Sequence, residues 1–362
     1  MKHIYKPLYL ILLLFFLDKL FLIPVVQKYT VSWKMFEPEI YRSRKDLFEK
    51  LQQQHFSADN KTGIILGSSR SAWFDNNKIR EIIPNSTTYN FSAPLGGPAW
   101  YYYWLQKILL AGIPVSFVII EADAILFTEE SLRYQLTYSF DPEYIIKNTD
   151  FIELDKFSKT GFAFQESELY FEKYLFALFN YPFDFRAIRE NFSEIAIPDS
   201  QSGIKYIRGY ELKDIYKKLV EDAVKNRFGS IGNPYQVEMN SKELEADIHN
   251  TVSRLGLTDF KAAETQVYYY NKLLKLLAEK NIKSVVFRPP ATEEFRRTIE
   301  QNTRLSRFHD TIYTKIPGDK VSFVDPMKDK NYHCSNFTDS YHISGSCFPV
   351  FTQIIIKELQ KN

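Results

Sequence analysis

Five short apolar segments, separated by stretches with helical periodicity, constrain the fold of this 362-residue chain more than any other feature. A short apolar run is typical of a strand covered on both faces, and strands that alternate with helices form parallel sheets. We therefore predict an α/β fold with three layers, in which a five-stranded, mainly parallel sheet lies between helices. The predicted strands are residues 63–66, 87–91, 115–121, 284–287 and 321–324, and the predicted helices cover about 76–82, 98–110, 262–280, 292–304 and 347–360.

The beginning of the chain predicts a membrane anchor. Residues 8–26 are almost wholly apolar and long enough to cross a bilayer as a helix. Lys2 and Lys6 precede this segment, which favours a cytoplasmic N-terminus, and no small residues mark a cleavage site after it. We expect residues 1–27 to form a single-pass transmembrane signal anchor in the inner (cytoplasmic) membrane, with the rest of the chain on the extracytoplasmic side.

Asp18 and Lys19 interrupt this apolar segment. A charge at the centre of a membrane helix costs about 2.5–3.5 kcal/mol on insertion scales, so both side chains need an explanation. One interpretation is that they reach toward the outer boundary of the membrane. The other is that they contact a helix of a membrane partner.

The remaining chain divides into a charged, helical juxtamembrane neck at 28–60 and an α/β domain at 61–362, which carries an insertion at about 125–260. The insertion shows helical patterns and no convincing strand pattern. We predict a helical structure over the carboxyl edge of the sheet, in a position to form a lid or an acceptor groove. Its predicted helices are 166–178, 210–226 and 241–255, and its predicted loops lie at Pro182, 198–203 and 229–234.

Gly67, Ser68 and Ser69 directly follow the first predicted strand. Catalytic groups collect at the carboxyl ends of parallel strands, and Gly67 permits a tight turn there. A serine in this position presents its hydroxyl to the crevice, and its amide can stabilise an oxyanion. The alternative is a structural turn in which Ser68 or Ser69 only caps the next helix.

Asp339 and His342 lie just before the last predicted helix. A serine hydroxyl becomes nucleophilic beside a general base such as histidine, and a carboxylate on the other ring nitrogen orients that base. At this spacing one turn of the chain brings the two side chains together. The alternative interpretation is a surface loop with a solvated aspartate and histidine.

Together these two motifs resemble the SGNH (GDSL-type) hydrolase superfamily. Its nucleophile is the third residue of a Gly-Asp-Ser block, and its base closes the chain in an Asp-x-x-His motif. The resemblance implies a flavodoxin-like SGNH fold with Ser69 as nucleophile, Asp339 as acid and His342 as base. The Gly-Ser-Ser variant and the anchor are similar to a branch of membrane-anchored envelope acyltransferases, which includes proteins of D-alanyl-lipoteichoic acid biosynthesis and of alginate O-acetylation.

Two further blocks of the superfamily match only in part. Gly96 and Gly97 follow the second predicted strand, where the superfamily places an oxyanion-hole glycine. The third block, normally Gly-x-Asn-Asp, is absent, and Asp123 stands at the asparagine position. An ionised carboxylate repels an oxyanion unless it is protonated or turned away. The resemblance therefore implies Gly96, Gly97 and, with this departure, Asp123 as oxyanion-stabilising or substrate-binding residues.

Arg288 ends the fourth predicted strand at the same edge of the sheet. We expect its guanidinium either to bind an anionic polymer or phosphate, or to pair with a local acid such as Glu293 or Glu294.

The two cysteines of the chain, Cys334 and Cys347, flank the Asp-x-x-His motif. In an exported domain they can form a disulfide that holds the base loop, worth about 3 kcal/mol in the chain-entropy model. The alternative is a metal site that also uses His333 and His342, but its spacing matches no familiar zinc pattern. We therefore expect no metal and no cofactor.

These features indicate serine-dependent acyl transfer or ester hydrolysis on a cell-envelope glycan or polymer, through an acyl-serine intermediate. The expected partners are an acyl donor, the envelope polymer and a membrane-bound O-acyltransferase. The 46 basic and 44 acidic residues are mixed along the chain, which argues against a nucleic-acid binder, because such a protein needs a basic stripe. The alternative function is a non-catalytic envelope assembly protein that keeps the fold and binds a glycan or a membrane acyltransferase.

Overall fold

The structure is a computed structural model, and it divides into two units, Met1–Glu39 with Leu136–Lys218 and Ile40–Gln135 with Leu219–Asn362. The predicted sheet and all predicted site residues belong to the second unit. Most of the predicted helix at 166–178, and the predicted loop at Pro182, lie outside the described residues. The residues described are 5–32, 37–57, 59–138, 175–181, 184–199, 203–232, 237–316 and 320–361.

The strands and helices follow the predicted alternation in the second unit. In chain order the strands are β1 (Lys61–Leu66), β2 (Ser86–Asn90), β3 (Phe117–Glu121), β4 (Glu194–Asp199), β5 (Gly203–Arg208), β6 (Lys283–Phe287), β7 (Val321–Val324), β8 (Phe337–Asp339) and β9 (His342–Ile343). The helices are α1 (Tyr5–Lys19), α2 (Pro24–Thr30), α3 (Glu37–Gln52), α4 (Asn76–Ile82), α5 (Pro98–Leu110), α6 (Glu129–Tyr138), α7 (Ala177–Asn180), α8 (Phe185–Phe192), α9 (Gly209–Asn226), α10 (Ser241–Arg254), α11 (Glu264–Glu279), α12 (Glu293–Gln301), α13 (Thr303–Thr314) and α14 (Phe348–Lys361).

The five predicted strands form one parallel sheet in the order β2-β1-β3-β6-β7, which confirms the predicted sheet. In the central strand β3, Val118, Ile119 and Ile120 are completely buried. Burial on both faces explains why this strand is continuously apolar rather than alternating. Because all five strands run in the same direction, the residues that follow β1, β3 and β6 meet at one edge of the sheet.

One face of the sheet packs against α4 and α14. Ile65, Ile119 and Val285 come from neighbouring strands and share a buried core with Phe351 and Ile355 of α14. The result is a mixed α/β fold with a five-stranded parallel sheet and many helices, consistent with the predicted three layers.

The predicted helix at 292–304 is wrong in its extent. It ends at Gln301, and a second helix, α13, continues from Thr303. The break occurs at Asn302, whose side chain accepts hydrogen bonds from the first backbone amides of α13. Asparagine is among the best N-cap residues, so it begins a new helix here instead of extending the old one.

The predicted neck at 28–60 is divided between the two units. Its helix α3 contributes Arg44 to the second unit, where this side chain is completely buried. Its guanidinium donates to the carbonyl of Ser92 at 2.6 and 2.9 Å and to that of Gly229 at 2.9 Å. The part of the neck from Ile40 onward is therefore packed against the domain.

The insertion contains a β-hairpin that the sequence did not predict. Strands β4 and β5 pair antiparallel, with Pro198 opposite Ile204 and Asp199 opposite Gly203. The predicted loop at 198–203 is therefore wrong at both ends, because Pro198 and Asp199 belong to β4 and Gly203 begins β5, while residues 200–202 lie outside the described part of the chain. Pro198 concealed the strand, since proline is normally a breaker but is tolerated in a strand at the edge of a sheet.

The N-terminal helices lie in the first unit. Among the described residues no single helix is long and apolar enough to cross a membrane. The segments Tyr5–Leu22 and Pro24–Thr30 meet the requirement only together and only by length and composition, and there is a bend of 84° between them. Asp18 is buried and accepts hydrogen bonds from the amides of Ala177 (2.7 Å) and Leu178 (2.9 Å) at the start of α7. The polar partner of Asp18 thus lies within the same chain.

Candidate active site

Ser69, His342 and Asp339 form a continuous hydrogen-bonded row at the carboxyl edge of the sheet. Ser69 begins a short 3-10 turn after β1, and its Oγ lies 2.8 Å from His342 Nε2. His342 Nδ1 lies 2.7 Å from Asp339 Oδ2. The side chains of His342 and Asp339 are 17% and 23% exposed, so the row is accessible from solvent. The expected proximity of the three side chains is therefore present, with the geometry of a nucleophile, a base and its orienting acid.

The Asp339 carboxylate is held in its ionised form. Burial raises its pKa, but the nearby His342 ring and hydrogen bonds from the Tyr341 and His342 amides outweigh that effect, so the pKa is lowered. The two amides donate to Oδ1 at 3.0 and 2.8 Å, which leaves Oδ2 for the imidazole. An ionised carboxylate in this position fixes the ring orientation and stabilises the imidazolium form.

The base loop is anchored from two helices. Asp247 of α10 accepts a hydrogen bond from the Ser340 N–H at 2.9 Å. The carbonyl of Ser340 accepts hydrogen bonds from the N–H (3.0 Å) and the hydroxyl (3.1 Å) of Thr292, the N-cap of α12. The part of the predicted insertion that forms α10 therefore supports the base loop directly.

The predicted disulfide between Cys334 and Cys347 is confirmed, with the two Cα atoms 5.5 Å apart. The alternative metal site is wrong, because both sulfurs are consumed by this bond. Among the described residues no other group of histidines, cysteines and carboxylates is arranged to hold a metal ion.

Glu121, at the end of β3, holds the nucleophile turn. Its carboxylate accepts hydrogen bonds from the Ser68 N–H (2.8 Å), the Ser68 hydroxyl (2.7 Å) and the Ser71 hydroxyl (2.5 Å), and it is 1% exposed. Glycine is required at position 67, because a Cβ there would overlap the Ser71 side chain and approach Glu121. Glu121 was not predicted as a functional residue, although its position at the carboxyl end of a strand beside β1 was a usable signal.

The capping interpretation of this turn applies to Ser68 and not to Ser69. The Ser68 hydroxyl accepts a hydrogen bond from the Arg70 N–H at 3.2 Å, as an N-cap residue does. The Ser69 hydroxyl is instead directed to the base. Of the two adjacent serines, Ser68 therefore has the structural role of an N-cap, and Ser69 contacts the base.

Asp123 is paired with a cation and does not stand alone at the site. Arg70 donates to Asp123 at 3.3 Å and to Glu121 at 3.1 Å, and all three side chains are buried. Burial raises the pKa of Asp123, but Arg70 and His309 lower it more strongly, so the pKa is held well below its usual range. Asp123 is therefore an ionised structural carboxylate that shares the Arg70 cation with Glu121, and it supplies no donor for an oxyanion.

The oxyanion-hole assignment of the glycines is corrected in part. The Gly96 N–H already donates to the Ala93 carbonyl at 2.8 Å, so it is not free to bind an oxyanion. Gly97 is buried at the start of α5, where a Cβ would meet the Leu126 carbonyl. In the described part of the chain neither the Ser69 N–H nor the Gly97 N–H has a hydrogen-bond acceptor, and we take the Ser69 amide as the first candidate donor because it belongs to the nucleophile itself.

Arg288 pairs with a local acid, which was one of its two predicted alternatives, although the acid is not one of the two examples named. Its Nη1 lies 3.1 Å from Glu300, near the end of α12, and not beside Glu293 or Glu294 at the start of that helix.

The fold and these side chains define an α/β protein with a Ser-His-Asp arrangement at the carboxyl edge of a parallel sheet. The model of a protein family of unknown function, DUF1574, matches residues 1–359, and the chain belongs to this family. No curated protein and no solved structure matches the chain significantly.

Proposed function

We propose that this protein catalyses serine-dependent acyl transfer or ester hydrolysis through an acyl-Ser69 intermediate. The observation that carries the proposal is the pair of short contacts on His342, 2.8 Å to Ser69 and 2.7 Å to Asp339. A structural ion pair would account for the contact between Asp339 and His342. It would not account for a serine hydroxyl on the other nitrogen of the ring, at a turn that follows a parallel strand.

In the first half of the reaction, the Ser69 Oγ attacks the carbonyl carbon of an ester while its proton passes to His342 Nε2. The tetrahedral intermediate collapses, the bond to the leaving oxygen breaks, and that oxygen takes the proton from His342. In the second half, His342 removes a proton from water or from a sugar hydroxyl, which attacks the acyl-serine ester and regenerates Ser69. Asp339 stabilises the imidazolium in both halves, and the Ser69 N–H can donate to the oxyanion.

We also propose that the fold is of the SGNH type. The strand order, the serine immediately after β1 and the Asp-x-x-His motif immediately before α14 support this assignment. The cation beside Asp123 weakens one objection to it, since Arg70, which Asp123 shares with Glu121, partly offsets the charge of the carboxylate that stands in place of an amide.

The proposed substrate is a glycan or polymer of the cell envelope, and the proposed location is the outer side of the inner membrane. The apolar segment at 8–26 supports an anchor, and the disulfide supports an oxidising compartment. An acyl donor and a membrane-bound O-acyltransferase are the proposed partners. None of these assignments is needed for the acyl-serine chemistry itself.

Labelling with a serine-reactive fluorophosphonate tests the chemistry, using the full chain in detergent. Wild type should become labelled, and Ser69→Ala should not, because the attacking oxygen is lost. The labelling rate should fall severely in His342→Ala. In Asp339→Asn it should fall by about 10⁴-fold, because the tautomer of His342 is no longer controlled. Ser68→Ala is the matched control and should still label.

Equal labelling of wild type and Ser69→Ala would refute the acyl-serine mechanism. The non-catalytic assembly protein would then be the better account. If Ser68→Ala were not labelled and Ser69→Ala were, the nucleophile would instead be Ser68.

A further inference from the structure

A cavity of about 340 Å³ lies in the second unit. Its wall includes residues that follow the nucleophile, from Trp73 to Asn77, and residues that follow the base, including Gly345. An extended chain spans at most about 3.6 Å per residue, so the Gly345 Cα lies within roughly 11 Å of the His342 Cα. The Trp73 ring packs directly on Gly345, where a Cβ would overlap it. Neither Ser69 nor His342 lines the cavity.

Two arginines give this cavity its charge. Arg80 and Arg227 both line it, and in the described part of the chain neither guanidinium forms an ion pair. Arg80 is held in place by a hydrogen bond to the Ser86 carbonyl at 3.2 Å and by the Phe228 ring, 5.4 Å away. The wall also contains the carboxylate of Asp75, which is the N-cap of α4 and accepts hydrogen bonds from the amides of Asn77 and Lys78. The cavity therefore has an excess of positive charge, which suits an anionic ligand.

The remaining wall suits a sugar. Asn76, Asn77 and Asn226 line it. The Asn226 Nδ2 already donates to Asp222 at 2.7 Å and the Asn76 Nδ2 to the Arg227 carbonyl at 3.3 Å, whereas the buried Asn76 Oδ1 has no hydrogen-bond partner within the described residues and can accept from a hydroxyl. The half-buried Trp73 ring offers an apolar surface next to these amides. The volume is at the lower end of the range for small-molecule sites, so it fits one compact unit rather than a long chain.

We infer that this cavity binds one anionic sugar unit, bearing a phosphate or a carboxylate, of the polymer that meets the acyl-Ser69 intermediate. The inference rests on the proposed acyl transfer, and it names the class of the acceptor. Arg80 and Arg227 bind the anionic group, the Asn76 Oδ1 accepts from a hydroxyl, and Trp73 packs on the ring. A neighbouring sugar unit of the same polymer then reaches the triad.

Calorimetric titration of the full chain in detergent tests the inference without any need for catalysis. Glucose 6-phosphate and glucuronate distinguish the two anionic groups, glucose is the neutral control, and inorganic phosphate tests for a site that binds the free anion. At least one charged sugar should bind about tenfold or more tightly than glucose and than inorganic phosphate. Arg227→Gln and Arg80→Gln should each weaken that binding about tenfold or more, the usual size of a charge-assisted hydrogen bond.

Arg307→Gln is the matched control, because Arg307 is an exposed arginine on α13 outside the cavity. It should bind like wild type, and so should Ser69→Ala. Fluorophosphonate labelling of Arg227→Gln should also persist, which shows that the variant is folded. Equal binding of glucose and both charged sugars, unchanged binding by Arg227→Gln, or phosphate binding as tight as that of the sugars would overturn the inference.

The two proposals fail in different ways. If labelling succeeds and the charged sugars do not bind, the acyl-serine chemistry stands and the cavity assignment is wrong. If the sugars bind but Ser69 is never labelled, the anionic-sugar site stands, and its role as an acceptor site in acyl transfer is wrong.

Discussion

The turn that carries Ser69 and the loop that carries His342 meet at one site, but different interactions hold them. The turn is fixed by a charged group inside the protein, because Glu121 accepts hydrogen bonds from Ser68 and Ser71 and pairs with Arg70. Each of these four residues is at most 4% exposed. The loop is fixed by backbone hydrogen bonds and by a disulfide, and Asp339 and His342 stay partly exposed.

This difference predicts different consequences of mutation. Loss of a buried hydrogen-bond acceptor leaves its donors without a partner, which is far more costly than loss of an exposed contact. The position of Ser69 should therefore depend on the stability of the whole sheet edge. The position of His342 should depend on local constraints that can be removed one at a time.

The largest effect is expected in the turn. Glu121→Gln should lower the free energy of unfolding by about 3–5 kcal/mol, because one of the two carboxylate oxygens becomes an amide nitrogen that cannot accept, and the two donors it held stay buried without a partner. Urea unfolding of the full chain in detergent measures this difference. Glu81→Gln is the matched control, since Glu81 pairs with Lys78 at the surface and its removal should change stability little. If the two variants were equally stable, buried charge would not be what fixes the turn.

A smaller effect is expected from the disulfide of the base loop. Replacing both Cys334 and Cys347 by alanine should lower the free energy of unfolding by about 3 kcal/mol, because the closed loop is short and the bond restricts the unfolded chain. Fluorophosphonate labelling of Ser69 should slow but persist, since Asp247 and Thr292 still anchor the loop.

A reducing agent supplies the control for the disulfide. It should destabilise wild type by a similar amount and leave the double variant unchanged. Complete loss of labelling in a double variant that remains folded would show that the loop has no second anchor, and the contrast between turn and loop would then be wrong.

The sequence predicted the parts of the molecule that local patterns determine. The five strands follow from apolar runs, and the proximity of Ser69, Asp339 and His342 follows from their positions after β1 and before α14. The parts that depend on tertiary contacts were missed. Glu121 anchors the turn only because β3 pairs with β1. Arg288 contacts Glu300 only once helix α12 has formed.

The hairpin and the cavity were missed for related reasons. The alternation in β4 and β5 is short, and Pro198 within it resembles a loop signal. The residues of the cavity, such as Arg80, Arg227 and Gly345, are far apart in the chain and carry no shared motif. No local pattern could have brought them together.

The smallest effect concerns the charge of Asp339. Its pKa is lowered in the folded protein, so the stability that its carboxylate contributes is fully present above the usual carboxyl range near pH 4 and is lost as the pH falls through the lowered pKa. Asp339→Asn removes this contribution but keeps an oxygen that can accept from the two loop amides. We expect wild type to exceed the variant by about 1–2 kcal/mol at neutral pH, the size of one charge-assisted hydrogen bond, and the difference to shrink below pH about 4. Urea unfolding of both proteins across this pH range measures it, and a difference that grows on acidification would mean that the carboxylate is protonated in the folded state.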